Sequence, residues 1–388
     1  MHQEPHGGWR RLPAAGDRPT YGVDMAVHSG RHAVLLRASA VLLAMVALVL
    51  SGATAAAAHT DRGVAGSNYA GRVLSTSEPM PGVSLRVTEF GDSLELLNRS
   101  PVTVTVYGYS DEEYLRIGPD GVWRNANSPA TYLNIRRDGT TQLPANAEAG
   151  AAPDWQRIST QPEYSWHDHR THWMLSSLPP QVAADPEREH TIINWQVPLT
   201  YDETAVTVDG ELTWAPPPTG ALWWPLYLLI LVAGALAGLL GRTARPLAVL
   251  LFASTAAAVW HLTATPQSGL TALDRALAMG AASLPTLVLA AVTAVGVRAA
   301  LRGSDLLAGM LSGVVGFMLL VQGLPDVDVL WSANVITGGP VALARLSVAL
   351  LIFGGLGLLL GAAAAVRRFR PAVPEEIGNR AFEPATTG

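Results

Sequence analysis

The pattern of hydrophobic and polar positions divides the chain into short alternating runs followed by long apolar runs. The short runs lie at 73–214, within a predicted domain at 59–214, and those at 83–87 and 102–107 alternate most regularly. Alternation with a period of two is typical of half-buried strands, and Gly, Asn and Pro supply turns between them. Roughly seven such strands predict an all-β antiparallel sandwich of the immunoglobulin-like type. The polar segment 136–165 is interpreted as a long loop that leads to Trp166.

A Pro-rich linker at 215–221 precedes the long apolar runs, each close to the ~20 residues that a helix needs to cross a bilayer. Backbone polar groups must be satisfied inside lipid, so such runs cross as α-helices. Residues 222–366 therefore predict an all-α transmembrane bundle that contacts the lipid bilayer. Its five predicted helices cover 222–240, 247–264, 276–297, 306–323 and 341–366.

The chain begins with a predicted leader. Residues 1–30 lack periodicity and are interpreted as disordered or as an over-extended start. Residues 31–58 run from Arg through an apolar stretch to small residues, the order of a secretory signal peptide. Cleavage after Ala58 would expose His59, whose amine and imidazole chelate copper, and a cut two residues earlier would also leave a copper(II) chelator. Alternatively, His59 simply begins a flexible Gly-rich lead-in.

The distribution of arginine predicts the orientation of the bundle. If the β domain lies outside, the inner segments at 242–245, 298–302 and 367–388 contain most arginines of this region. The outer loops at 265–275 and 324–340 contain one Arg and three Asp. The positive-inside rule then predicts an extracytoplasmic β domain and a cytoplasmic C-terminus.

Composition narrows the chemistry that the β domain can carry. Charged residues make up 15% of the chain, and the net charge of -5 includes no long basic run. Nucleic acid is therefore not an expected partner. The chain has no Cys, which excludes disulfides and thiolate metal sites and leaves His, Asp, Glu and Met as ligands.

Candidate metal ligands are concentrated at 166–174, where three histidines lie between two tryptophans. Two of these histidines are two residues apart, so on a strand they would project to one face. The third follows at a distance that a turn can close. Imidazoles with an open coordination position are typical of zinc and copper sites. The predicted core ligands are His167, His169 and His172, and the further candidates are His59, Met174, Asp168 and His190.

Other interpretations also fit this stretch. The histidines and tryptophans can pack structurally, with Asp168 and Arg170 as a local ion pair. They can act in acid–base catalysis without a metal, or in a zinc-dependent hydrolase with Glu112 or Glu113 as the general base. A further alternative is an envelope sensor or interaction module that binds a protein partner and no metal.

Ionisable residues are rare in the apolar runs. His261 and Arg345 lie near the outer ends of the second and fifth runs. There, their side chains can either extend to the membrane–water interface or have a functional role. Asp305 precedes the fourth run and is expected to cap its helix.

The segments 98–122 and 128–134, with the histidine stretch, resemble a family of actinobacterial multi-span membrane proteins of uncharacterised activity. The chain has a predicted signal peptide, an N-terminal histidine, a β domain and a helical bundle in that order. This order resembles that of copper-resistance proteins in which a CopC-like β domain is fused to a CopD-like bundle. That likeness implies a CopC-like fold and copper(II) bound by His59, Asp168 and His169. The family separates its Asp and His by one residue, whereas these two are adjacent, and five predicted helices replace a larger bundle.

Together, these patterns predict a membrane-anchored extracytoplasmic protein that binds and handles metal. Copper is the expected ion and zinc is the alternative. No Ser or Lys nucleophile adjoins the histidines, so the sequence favours binding over catalysis.

Overall fold

The computed structural model describes residues 64–267 and 272–369 of the chain. In these residues, an antiparallel β domain is followed by five helices that are long and apolar enough to cross a membrane. The two predicted fold classes, an antiparallel β domain and an apolar helical bundle, are thereby confirmed. The predicted start, the signal peptide, His59 and the end of the tail lie outside the described residues.

The β domain is built from two antiparallel sheets. The larger sheet has seven strands, in the order β2 (Tyr69–Thr76), β11 (Thr204–Trp214), β10 (His190–Tyr201), β5 (Val104–Tyr107), β6 (Glu113–Gly118), β7 (Gly121–Asn125) and β8 (Trp155–Ser159). The smaller sheet has three strands, in the order β3 (Val83–Thr88), β4 (Ser93–Asn98) and β9 (Glu163–His167). Two short helices accompany these strands, α1 (Ala130–Leu133) and α2 (Pro180–Ala184). The chain therefore passes from the larger to the smaller sheet directly before the histidine stretch.

Both sheets contribute to one hydrophobic core. In β4, Leu94 and Leu96 are fully buried, and Trp166 in β9 is 4% exposed. The larger sheet adds Leu115 and Trp195 to the same cluster. Burying one leucine-sized side chain contributes about 1.5–3 kcal/mol, so this core holds the two sheets together. The immunoglobulin-like or CopC-like arrangement of the strands stays a prediction.

The segment 136–165 is not the continuous loop that the sequence predicts. It contains β8, which pairs with β7, and the first residues of β9, which pairs with β4. Strand β8 lies at the edge of the larger sheet and exposes Gln156 and Arg157, while Ile158 packs against the core. Edge strands commonly carry charged and polar side chains, which conceals their alternation in the sequence.

The helical region follows the predicted apolar runs. A π-helical turn at Leu350–Gly354 interrupts the last of them, and a 3₁₀ segment at Leu324–Leu330 follows the fourth. The helices are α3 (Gly220–Leu240), α4 (Arg245–Ala264), α5 (Ala272–Leu301), α6 (Asp305–Gly323), α7 (Val341–Ala349) and α8 (Gly355–Phe369). Helices α7 and α8 together with the π turn form the fifth long apolar helix.

Asp305 caps a neighbouring helix instead of its own. Its carboxylate accepts a hydrogen bond from the N–H of Ala244 at 2.7 Å, immediately before α4. The first N–H groups of a helix have no partner within that helix, so a carboxylate from an adjacent element can satisfy one of them. Asp305 thus joins the beginnings of α4 and α6.

Helix α3 approaches α8 closely through glycines. A Cβ on Gly238 would overlap the carbonyl oxygen of Gly361, whereas a Cβ on Gly280 in α5 would meet no atom within 4 Å. Small residues let membrane helices pack backbone against backbone. We expect Gly238→Ala to lower the Tm of the full chain in detergent by several degrees, because the two helices must separate. Gly280→Ala is the matched control and should leave the Tm unchanged or raise it. An equal response of the two variants would contradict this packing.

The β domain contacts the helical region at a second place besides the linker. Strand β1 (Gly66–Ser67) pairs with β12 (Asn334–Val335), which lies between α6 and α7. The N–H of Gly66 donates to the carboxylate of Asp328 at 3.1 Å, and the Asn334 amide donates to the carbonyl oxygen of Tyr69 at 3.2 Å. These bonds hold the β domain against one end of the bundle.

Candidate functional site

A buried carboxylate positions the histidine stretch. Strand β9 ends at His167, and the chain then turns, with the N–H of Thr171 donating to the carbonyl oxygen of Asp168 at 3.1 Å. The Asp168 side chain is fully buried and accepts hydrogen bonds from Arg170 Nε at 2.8 Å and Trp166 Nε1 at 3.0 Å. A buried charge needs such partners, so this carboxylate fixes the turn that presents the histidines.

Neighbouring segments attach the turn to both sheets. The Thr171 hydroxyl donates to the carbonyl oxygen of Gly91 at 2.6 Å, beside the beginning of β4. The N–H of His169 donates to the Tyr109 hydroxyl oxygen at 3.0 Å, just beyond β5. The Arg170 guanidinium lies 5.1 Å from the centre of the Tyr109 ring. The turn therefore rests on a rigid base shared by the two sheets.

The structure brings His167, His169 and His172 together. Their ring centres are 5.1 Å (His167–His169), 4.5 Å (His167–His172) and 5.6 Å (His169–His172) apart. Two imidazoles on one metal ion have ring centres about 5 Å apart, given metal–nitrogen bonds of about 2.0 Å and near-tetrahedral angles. The observed separations agree with that spacing. The cluster arises from the turn after β9 and not from alternation along a strand, because His169 lies beyond the end of β9.

Backbone carbonyl oxygens lie close to three of the six ring nitrogens. His169 Nε2 lies 3.0 Å from the carbonyl oxygen of Arg136. Both nitrogens of His172 face carbonyl oxygens, Nδ1 at 3.1 Å and Nε2 at 3.3 Å. His167 Nε2 is buried and has no hydrogen-bond partner. A neutral imidazole has only one N–H, so each ring keeps one nitrogen with a lone pair.

The lone pairs of the three rings do not point toward one position where a metal ion could bind. Within residues 64–267 and 272–369, no group of three or more His, Asp or Glu side chains is arranged to hold a metal ion. Binding would require a rearrangement, above all the release of His172 Nε2 from the carbonyl oxygen of Arg137. The chemistry and spacing of the rings thus fit a metal ion, whereas their present orientations do not.

Burial favours the neutral forms of His167 and His172. Desolvation, assisted by the neighbouring His172 and His169, lowers the pKa of His167 to about 4. Desolvation also lowers the pKa of the His172 imidazole, although Asp92 acts in the opposite direction. Neutral imidazole is the form that binds metal ions, so protons do not compete for these nitrogens at neutral pH.

Met174 lies at the edge of the cluster. Its side chain is 38% exposed. Its methyl group and the His169 ring both lie within 3.4 Å of the place that a Cβ on Gly139 would occupy. The thioether is therefore near the histidines, yet open to solvent.

The remaining predicted ligands differ in their placement. The Asp168 carboxylate is engaged by Arg170 and Trp166 and does not face the cluster as a free ligand. His190 begins β10, and its Nε2 contacts the carbonyl oxygen of Asp185 at 2.6 Å. His59 lies outside the described residues. The structure thus groups only three of the predicted ligands, with Met174 beside them.

The two predicted general bases have local partners. Glu112 is buried and accepts hydrogen bonds from the Ser128 hydroxyl and the N–H of Ser110, both at 2.9 Å. Glu113 forms an ion pair with Arg116 at 2.8 Å. Both carboxylates therefore support the fold around β6.

Asp92 and Arg137 complete the surroundings of the cluster, although no sequence pattern singles them out. Their side chains form an ion pair at 3.0 Å, and the negative charge of Asp92 opposes the lowering of the His172 pKa. Burial raises the pKa of Asp92 despite the nearby guanidinium. In the sequence, Asp92 indicates only a turn, and its approach to the histidines depends on the pairing of β4 with β9.

The two ionisable residues predicted near the membrane surface both have partners. Arg345 is 5% exposed and donates to the carbonyl oxygens of Val329 at 3.2 Å and Ser332 at 2.5 Å. It therefore stabilises the segment after α6. His261 Nε2 lies 2.7 Å from the carboxylate of Asp326.

Comparison with protein-family models, with curated proteins and with solved structures finds no match to this chain. The likeness to actinobacterial membrane proteins and to CopC/CopD-type proteins therefore stays a prediction. Function is inferred from the geometry of the chain itself.

The lowered pKa of His167 makes folding sensitive to pH. An unfolded histidine titrates near 6.5, whereas the folded cluster binds this proton only at a pH of about 4. As the pH falls from about 6.5 to about 4, the unfolded state gains a proton that the folded state lacks, so the folded state loses stability over this range. Thermal unfolding of the metal-free full chain should show this decrease. The His167→Gln variant should lose much less stability over the same pH range. An unchanged pH dependence in that variant would contradict the attribution of this decrease to His167.

Proposed function

We propose that this protein is a membrane-anchored, extracytoplasmic metal-binding protein that handles copper at His167, His169 and His172. The observations that carry the proposal are the grouping of the three rings, whose centres are 4.5 to 5.6 Å apart, and the buried His167 Nε2, which has no hydrogen-bond partner. An unpartnered buried polar atom costs about 1–3 kcal/mol. A metal ion is a partner that the lone pair on this nitrogen can bind. Such a site serves uptake, tolerance or delivery of the ion.

The surrounding carbonyl oxygens support this role. Metal-binding histidines usually donate their second ring N–H to a carbonyl or carboxylate, which fixes the tautomer. The carbonyl oxygen of Arg136 lies 3.0 Å from His169 Nε2, and that of Asp168 lies 3.1 Å from His172 Nδ1. If these two bonds persist, His169 Nδ1 and His172 Nε2 are left with lone pairs for an ion.

The required rearrangement is inexpensive compared with metal binding. His172 Nε2 must leave the carbonyl oxygen of Arg137, a contact of 3.3 Å. In the tautomer that donates Nδ1–H to the carbonyl oxygen of Asp168, Nε2 carries a lone pair, so this contact is not a hydrogen bond and its loss breaks none. Structural zinc sites bind with about 10 kcal/mol or more. The loop at 136–139 therefore does not prevent the cluster from binding an ion.

Ligand chemistry favours copper over zinc. Imidazole binds both ions, but copper(II) exceeds zinc in the affinity order, and thioethers select copper(I). Met174 supplies a thioether beside His169. A zinc hydrolase would also need a free general base, whereas Glu112 and Glu113 are engaged in local bonds.

The helical region provides the anchor. Five helices are long and apolar enough to cross a membrane. Arginines concentrate in the loops at the end of the bundle away from the β domain, and the positive-inside rule places that end in the cytoplasm. The histidine cluster then lies outside, where it meets ions before they cross.

The metal content of the full-length protein tests this proposal. The untagged protein, purified in detergent, is exposed to copper(II) or zinc(II), desalted and analysed by mass spectrometry. We expect about one equivalent of copper in the wild type, and none in a variant with His167, His169 and His172 all changed to Ala. His190→Ala is the matched control, because this histidine lies in the same domain outside the cluster.

A His59→Ala variant separates binding at the cluster from chelation at a processed N-terminus. The Tm of each metal-free variant shows whether it is folded. Copper retained by the triple variant, or absent from the wild type, would contradict the proposal. The histidines would then be structural.

A further inference from the structure

A cavity of about 820 Å³ lies between the β domain and the helical region. Residues of β3, β4 and β9 form its wall on the β domain, among them Arg86 and Glu95. The opposite wall is formed by α4, α5, α6 and the π turn, and it extends to Ala282 and Leu351. Ligand pockets in proteins commonly measure about 300–1,000 Å³, so this cavity has the size of a binding site.

Two buried polar atoms on the helical wall have no hydrogen-bond partner. Gln322 Nε2 is a donor without an acceptor, while Gln322 Oε1 accepts from the Thr286 hydroxyl at 3.2 Å. Gln267 Oε1 is an acceptor without a donor, while its Nε2 donates to the carbonyl oxygen of Thr265 at 3.0 Å. Each of the three residues Gln322, Thr286 and Gln267 lines the cavity. A ligand that pairs with both free atoms removes the cost of leaving them unpaired.

The charges on the same wall restrict the headgroup of such a ligand. Asp326 is paired with His261 at 2.7 Å, and both residues line the cavity. A cationic headgroup gains little from the Asp326 carboxylate, because His261 already pairs with it. An anionic headgroup is repelled by the same carboxylate. Of the uncharged groups, a hydroxyl or an amide both donates and accepts, as the two free atoms require.

We infer that this cavity binds a single-chain lipid whose headgroup is uncharged and bears a hydroxyl or an amide. The headgroup pairs with Gln322 and Gln267, and the chain lies along apolar lining residues such as Leu262 and Val329. The helices of this wall are long and apolar enough to lie in a bilayer, which supplies such molecules. The β domain closes the cavity, so the ligand contacts both parts of the protein. This inference is independent of the histidine cluster.

The test compares three probes that share one chain and differ in the headgroup. The full chain in phosphatidylcholine nanodiscs is exposed to 1-oleoylglycerol, oleate or oleylamine, and binding is measured by native mass spectrometry and by the shift in Tm. We expect 1-oleoylglycerol to bind at least about 10-fold more tightly than the two charged probes. Gln322→Leu should weaken 1-oleoylglycerol about 10-fold or more, because the donor is lost.

Ser254→Ala is the matched control, because it removes another buried, unpartnered polar group of the bundle that does not line the cavity. It should bind 1-oleoylglycerol like the wild type. Ala282→Phe should abolish binding by filling the cavity, and Gln267→Leu replaces Gln322→Leu if the latter has a lowered Tm without ligand. Equal binding of a charged probe, undiminished binding in both glutamine variants, or no saturable binding of 1-oleoylglycerol would overturn the inference.

Discussion

Replacing Asp168 with Ala is expected to destabilise the β domain by about 3–5 kcal/mol, because it removes one member of a buried ion pair. The carboxylate is fully buried, and the Arg170 side chain that it binds is 18% exposed. The substitution removes the ion-pair partner of this guanidinium and the acceptor of Trp166 Nε1. Unfolding of the full chain in denaturant, followed by tryptophan fluorescence, measures the loss.

The matched control is an exposed pair in the same domain. Arg188 and Asp185 form an ion pair whose side chains are 81% and 47% exposed. Asp185→Ala should therefore cost less than about 1 kcal/mol. If Asp168→Ala costs no more than this control, the carboxylate does not organise the turn that carries the histidines.

Replacing His167 with Ala is expected to lower the affinity for copper by at least ~100-fold. Loss of an outer partner of a metal ligand typically costs about 10–100-fold, and loss of a ligand costs more. His167 Nε2 is the ring nitrogen that lies buried without any partner. Titration of the full chain against a competing copper chelator measures the affinity.

Met174→Ala provides the comparison, since its thioether is 38% exposed at the edge of the cluster. We expect it to lower the copper affinity by no more than about 10-fold, because solvent can replace an exposed ligand. A larger effect of Met174→Ala than of His167→Ala would move the centre of the site away from the buried rings.

The elements that follow from local periodicity could be predicted from the sequence. Alternation around Leu94 and Leu96 predicts β4, since one face of the strand enters the core. The long apolar runs predict the bundle because lipid requires helices. Strand β8 escapes prediction, because an edge strand with Gln156 and Arg157 exposed has little alternation to detect.

Some residues of the candidate site could also be predicted from the sequence, whereas others could not. The three histidines can be found because they are close together in the chain. The partners of the site cannot, since Arg136 lies 33 residues from His169 and meets it only after the sheets have paired. The pair His261–Asp326 joins residues 65 positions apart, so spacing alone does not reveal the cavity that they line.

X-ray absorption at the copper edge tests most directly whether the three histidines bind an ion. The measurement compares the copper-loaded full chain with His167→Ala at equal occupancy. We predict nitrogen neighbours at about 2.0 Å and outer-shell scattering from three imidazole rings in the wild type, reduced to two rings in the variant. A spectrum without imidazole scattering, or one that His167→Ala leaves unchanged, would contradict the proposed copper site.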